Sequence, residues 1–141
     1  MRQQTTTLGV GGAVVSTTQT TPWLSAQTAN NGYHAAWYTG DATVVTTEPV
    51  STGGSRTTTT STAFEGAWGL PVTQQVVPSD APATCTTTVY AAANLVGSVA
   101  EVLTTAGTCD QAAGAGADRL ISDVRTAYDG AAVGAAPTRG M

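Results

Sequence analysis

The sequence predicts a mainly β protein with α structure at its C-terminal end: an antiparallel sandwich or barrel-like body over residues 3–85, followed by one or two helices. Two observations predict this. As far as residue 88 the chain is Thr, Val and aromatic residues interrupted by turn signals, the pattern of many short strands. From residue 110 onward it is Ala-rich with apolar residues at helical spacing. The expected organisation is a Thr-rich β domain over 1–88, a helical segment packed on it over 89–130 and a flexible arm over 131–141.

Strands are expected at 5–10, 13–20, 33–38, 42–47, 56–64 and 72–77. Turn residues separate them: Thr21-Pro22, Asn30-Asn31-Gly32, Thr39-Gly40-Asp41, Ser51 to Gly54, and Pro78-Ser79-Asp80. Residues 33–47 read as a hairpin closed by a three-residue, Gly-containing loop. Residues 56–62, Arg-Thr-Thr-Thr-Thr-Ser-Thr, place hydroxyls on both faces of one strand. Such a strand belongs at an edge or an interface rather than in a buried centre.

Residues 86–106 fit two periods. As a helix they stack Val89, Ala92, Val96, Val99 and Leu103; as a hairpin turning at Gly97-Ser98 they align Val89, Ala91, Ala93, Leu95, Ala100 and Val102. The Ala-rich text favours the helix and the leading Thr residues favour a strand. The two cysteines discriminate. An 18-residue helix would be about 27 Å long and would hold Cys85 and Cys109 too far apart to bond. A Cys85–Cys109 disulfide therefore requires the hairpin, and free thiols suit the helix, which is the expectation adopted. Beyond Cys109, Ala113, Ala117, Ile121, Val124 and Tyr128 mark one face of a helix opened by a Thr108 to Gln111 capping box and closed near Gly130. Residues 131–141 contain Pro137 and no periodicity, as expected of an arm ordered by contact.

Charge is the main anomaly of composition. Charged residues make up 10% of the chain, against roughly 25% in an average soluble protein. There is no Lys, and the cations are Arg2, Arg56, Arg119, Arg125 and Arg139. With 28 Thr and a net charge of −4, the surface must be neutral and rich in hydroxyls. Interface cores are depleted of Lys, Glu and Asp, so the composition suits a protein packed against other subunits. The lack of a basic cluster argues against nucleic-acid and anionic-membrane partners. No apolar run reaches membrane-spanning length, and Met1 to Gly12 does not read as an export signal.

Material for catalysis is scarce, and no cofactor is expected. His34 is the single histidine and has no nucleophile motif beside it. A zinc site would need His34, Cys85, Cys109 and a carboxylate to converge without any of the short ligand spacings such sites use. The acids are scattered as turn, cap and surface residues, and Leu8-Gly9-Val10-Gly11-Gly12 lacks the Lys-Ser/Thr ending of a phosphate loop. Neither a catalytic nor a metal residue is assigned. The expected contact residues are the aromatics Tyr33, Trp37 and Tyr38 with Thr58 and Thr60 of the hydroxyl strand, which would offer its backbone to a neighbour's edge.

Thr57 to Thr60, the Ala-rich run 112–117 and the absence of Lys resemble virion structural proteins of phages infecting GC-rich actinobacteria. Asp129-Gly130-Ala131-Ala132-Val133-Gly134 is similar to a segment of lambda-type capsid decoration proteins, which are small, β-rich, trimeric clamps on a capsid lattice. The resemblance implies a non-enzymatic decoration, minor capsid or tail component, located in the virion and bound to other particle subunits as a homo-oligomer or lattice element. The alternative is a secreted or cell-surface module that binds carbohydrate or protein through Trp23, Trp37 and Trp68 and carries a Cys85–Cys109 bond.

Overall fold

In the computed structural model, which describes residues 1–91, 97–112, 117–128, 130, 132 and 133, the Thr-rich sequence forms one antiparallel sheet. The chain enters through β1 (Gln3–Leu8) and β2 (Val14–Leu24), makes a separate small hairpin of β3 (Ala29–Asn30) and β4 (Ala35–Ala36), and returns in β5 (Thr39–Pro49). It continues through β6 (Ser55–Phe64), β7 (Pro71–Pro78), β8 (Thr84–Tyr90), β9 (Val99–Ala106) and β10 (Leu120–Arg125). Each main-sheet strand pairs with the next, in the order β1-β2-β5-β6-β7-β8-β9-β10. A tight turn joins β5 to β6, where the Val50 N–H donates to the Gly54 carbonyl at 3.3 Å, and beyond β7 the Ser79 N–H extends the β6–β7 pairing by donating to the Thr57 carbonyl at 2.8 Å.

Among the described residues the expected sandwich or barrel is not closed by strand pairing, because β1 and β10 each pair on one side only. Among the described residues only Cys85, Ser25 and Thr105 are buried. Strand count alone does not reveal layering. A sheet folds over on itself when one face is apolar, and here Thr occupies both: Thr17, Thr47 and Thr57 align across β2, β5 and β6, and Thr18, Thr46 and Thr58 align in the next row, on the opposite face. The accessible surface is 9214 Å², whereas a compact monomer of this mass exposes roughly 6,700 Å².

Both helical expectations are corrected. Residues 86–106 are the β8–β9 hairpin, with Thr86 opposite Thr104 and Thr88 opposite Val102; the Ala91 N–H closes it onto Ser98 at 2.8 Å. Residues 92–96 of this stretch lie outside the described residues. Among the described residues the helix expected over 110–130 is reduced to one turn, α1 (Cys109–Ala112), in which Gln111 does accept the Thr108 N–H at 3.2 Å as the capping box requires; residues 113–116 and 129 of that stretch lie outside the described residues. Farther on, Ile121 and Val124 stand in strand β10 against β9. Tertiary pairing of β-branched residues overrides the Ala-derived helical period here. Most of the expected arm, 131–141, lies outside the described residues.

Two turn assignments also fail. Thr21-Pro22 lies inside β2, where a register shift accommodates the proline, and Thr39-Gly40-Asp41 lies inside β5. The expected 33–47 hairpin is consequently replaced by β3–β4, which turns through Asn31; its side chain accepts the Tyr33 and His34 N–H groups at 3.1 and 2.8 Å. The hydroxyl strand, β6, is not an edge. It is paired on both sides, by β5 and β7, and its backbone has nothing left to offer a neighbour.

Cys85 and Cys109 are bonded, with Cα atoms 5.0 Å apart, which the hairpin permits and the expected helix with free thiols does not. The bond pins α1 over β7 and β8, where the Cys109 N–H also donates to the Gln75 side chain at 2.7 Å. Closing a loop of 24 residues is worth about 3.5 kcal/mol through the unfolded chain. Paired Cys85→Ala and Cys109→Ala changes should lower unfolding free energy by about that amount in denaturant titration. An unchanged midpoint would show that the bond does not constrain the fold.

Candidate protein-interaction surface

Strand direction gathers the aromatics at one end of the sheet. β2 and β6 finish there with Trp23 and Phe64, β8 finishes with Tyr90, and β5 starts there after Trp37 and Tyr38. Trp23 and Phe64 stack with ring centroids 4.8 Å apart across β5. Between them stands Gly40, opposite Trp23, where a Cβ would lie 2.5 Å from the Phe64 ring. Gly69, at φ +68°, is covered in the same way by Tyr38. Buried Ser25 accepts the Tyr38 N–H at 2.9 Å and donates its own N–H to the Tyr38 carbonyl at 3.0 Å.

Of the three aromatic contact residues expected from sequence, Tyr38 is thus a packing residue, half-buried over Gly69. Tyr33 and Trp37 are more open, 92% and 47% exposed. Trp68, expected from sequence as a binding residue of the alternative module, is 49% exposed on the β6–β7 turn. Its position is set by Glu65, whose carboxylate accepts the N–H groups of Ala67, Trp68 and Leu70 at 2.7, 2.6 and 3.2 Å. An acid followed by Gly-Ala-Trp-Gly was the signal available for that clamp. Desolvation pushes the Glu65 carboxyl upward, but these backbone donors outweigh it and hold it below the ordinary glutamate range.

Thr58 and Thr60 lie on the same face of β6, in the paired rows Thr18-Thr46-Thr58 and Thr20-Val44-Thr60-Val76. They do not converge with the aromatic end, which is reached farther along the strand. The two cysteines meet in the disulfide on the opposite face, since Cys85 pairs with Gln75 and Thr105 in an odd row. Arg125 bridges Glu101 and Asp123, at 3.0 Å to each carboxylate, on that same opposite face.

His34 lines a shallow cleft of about 290 Å³ on the β3–β4 hairpin, with Asn30, Asn31 and three alanines. The lining contains no hydroxyl or thiol that a general base there could activate. Among the described residues no three His, Cys, Asp or Glu side chains converge as a metal site. What the surface offers chemically is neutral hydroxyl and aliphatic faces, exposed tryptophans and two unpaired strand edges. No family model, curated protein or solved structure matches the chain.

Two outcomes follow from this geometry. Because the Glu65 carboxyl is lowered in the folded state, its support of the β6–β7 turn is complete above the unfolded-state value and is lost as pH falls through the folded-state value. The Ala67 and Trp68 amide resonances should titrate together with a midpoint below the ordinary glutamate range, and Glu65→Gln should abolish that titration. Separately, Gly40→Ala should cost about 1 to 3 kcal/mol in denaturant unfolding, as overpacking against Phe64; a neutral result would remove the Trp23–Phe64 contact from the account.

Proposed function

We propose that this chain is a non-enzymatic structural protein that works by repeated contacts with other subunits, as a capsid decoration, minor capsid or tail component of a virion. The observation that carries this is a Thr-rich sheet of low charge with only three described residues buried. Such a sheet has little core of its own, and contact with neighbours supplies the missing burial. The low charge that would handicap a freely diffusing protein suits a surface spent in contact. Its partners are other particle subunits, including copies of itself, and no cofactor, nucleic acid or membrane enters the scheme.

A second function is favoured by particular residues. Exposed Trp37 and Trp68, together with the disulfide, suit a secreted or cell-surface module binding carbohydrate or protein. The disulfide does not separate the two, since virion surfaces and extracellular space are both oxidising. Location does. Gradient-purified particles from the source culture, analysed by quantitative mass spectrometry, should contain the chain at a fixed ratio to the major particle subunit. Recovery only as free protein in the culture fluid would overturn the virion role and leave the binding module.

A further inference from the structure

Both faces of the sheet carry charge: Glu48 pairs with Arg56 on the face of Thr46 and Thr58, and Glu101, Asp123 and Arg125 lie on the other. Backbone pairing, by contrast, stops at two places among the described residues, the outer edges of β1 and β10. All six residues of each edge strand are exposed, whereas β6, paired on both sides, is mostly half-buried.

Natural sheets guard such edges with Lys, proline, charges or bulges. Gln3–Leu8 contains no proline and no charged residue, and its irregularity is a register shift at the end of the strand, between Thr7 and Leu8. On β10 the shift falls between Leu120 and Ser122, which leaves Ser122 to Arg125 regular. Its charges do not screen the edge. Arg125 is drawn back over the sheet to Glu101 of β9 and along its own strand to Asp123, at 3.0 Å each.

We propose that the β1 edge of one copy pairs with the β10 edge of the next, head to tail, so that the meander continues from chain to chain; this rests on the assembly role proposed above. Three features select a second copy. The main sheet has eight strands in antiparallel order, so β1 and β10 run in opposite directions, and a copy in the same orientation brings its β1 antiparallel to β10. That is the geometry of every other pair in the sheet. The two edges also match in length, at six residues each. Their faces match as well, since through the paired rows Thr5 and Thr7 share a face with Ser122 and Val124, and Gln4 and Thr6 share the other with Asp123 and Arg125.

The register that keeps these faces and pairs the most regular residues sets Val124 opposite Thr5, with Asp123 opposite Thr6 and Arg125 opposite Gln4. Each charge then meets a hydroxyl or an amide, and like charges are not opposed. Pairing one edge with its own kind gives a dimer whose outer edges stay bare, whereas head-to-tail pairing uses both edges of every copy. A ring closed in this way has no edge left.

The test adds single cysteines at the two edges. Chains carrying Thr5→Cys, mixed with chains carrying Val124→Cys and mildly oxidised, should yield a cross-linked pair, because opposed antiparallel residues lie within disulfide reach. Either variant alone should give none. On the unmodified chain, hydrogen exchange read by NMR should show every amide from Gln4 to Thr7 protected while the chain is associated, and on dilution to monomer those that point away from β2 should lose protection. Cross-linking of either variant with its own kind would overturn the head-to-tail pairing. Associated chains whose outward β1 amides stay unprotected would also overturn it, while the assembly role stands on another surface. Protection of the outward β10 amides in a monomer would mean that the chain covers this edge itself, against the proposal. A chain monomeric at all concentrations would overturn the pairing and leave the virion role to its own particle test.

Discussion

The backbone ladder of a single antiparallel sheet is what everything else in this molecule depends on. Each ladder hydrogen bond contributes about 0.5 to 1.5 kcal/mol net, and fixing each residue of backbone costs about 1 to 2 kcal/mol. Ladders alone therefore come out near balance, and folding ordinarily requires burial on at least one face. Among the described residues that burial is minimal: one disulfide cysteine, Ser25 and Thr105. The disulfide, the Trp23–Phe64 stack over Gly40 and cross-strand Thr pairs are local supports along the sheet. None of them supplies a second layer.

That constraint gives the composition a physical meaning. Threonine is β-branched and suits the pleat, while its hydroxyl can bond across strands, as between Thr47 and Thr57 at 3.4 Å. A face built this way is neither fully wet nor fully apolar. It can be solvated while the chain is made and then covered by a neighbour with few charges in the way. The charged residues that remain are kept at strand ends or on the face that α1 and the disulfide cover in part, with Arg125 held between Asp123 and Glu101. Those exposed pairs contribute little stability.

Much of the strand pattern was legible. The segments 56–64 and 72–77 lie within β6 and β7, because Thr and Val runs bounded by Gly, Pro and Asp carry both propensity and punctuation. What was not legible followed from pairing partners. Residues 86–106 and 110–130 contain enough Ala to mimic a helix, and Ile121 and Val124 gave no local sign that β9 would claim them. Gly40 reads as a turn residue, yet its role is to admit the Phe64 ring, a neighbour 24 residues away that no local pattern names. The hydroxyls on both sides of residues 57–62 signalled a strand exposed on its faces, which was mistaken for a strand exposed at its edge. Tyr38 looked like a contact residue for want of any sign of Gly69 beneath it.

The central claim is that this sheet is completed by a neighbour rather than by its own core. For a fold coupled to association, the thermal midpoint must depend on protein concentration. Scanning calorimetry of the purified chain over about a 100-fold range of concentration tests this directly. The account predicts a midpoint that climbs steadily with concentration. A constant midpoint from a stable monomer would contradict it, and would mean that one layer of neutral strands can hold itself together.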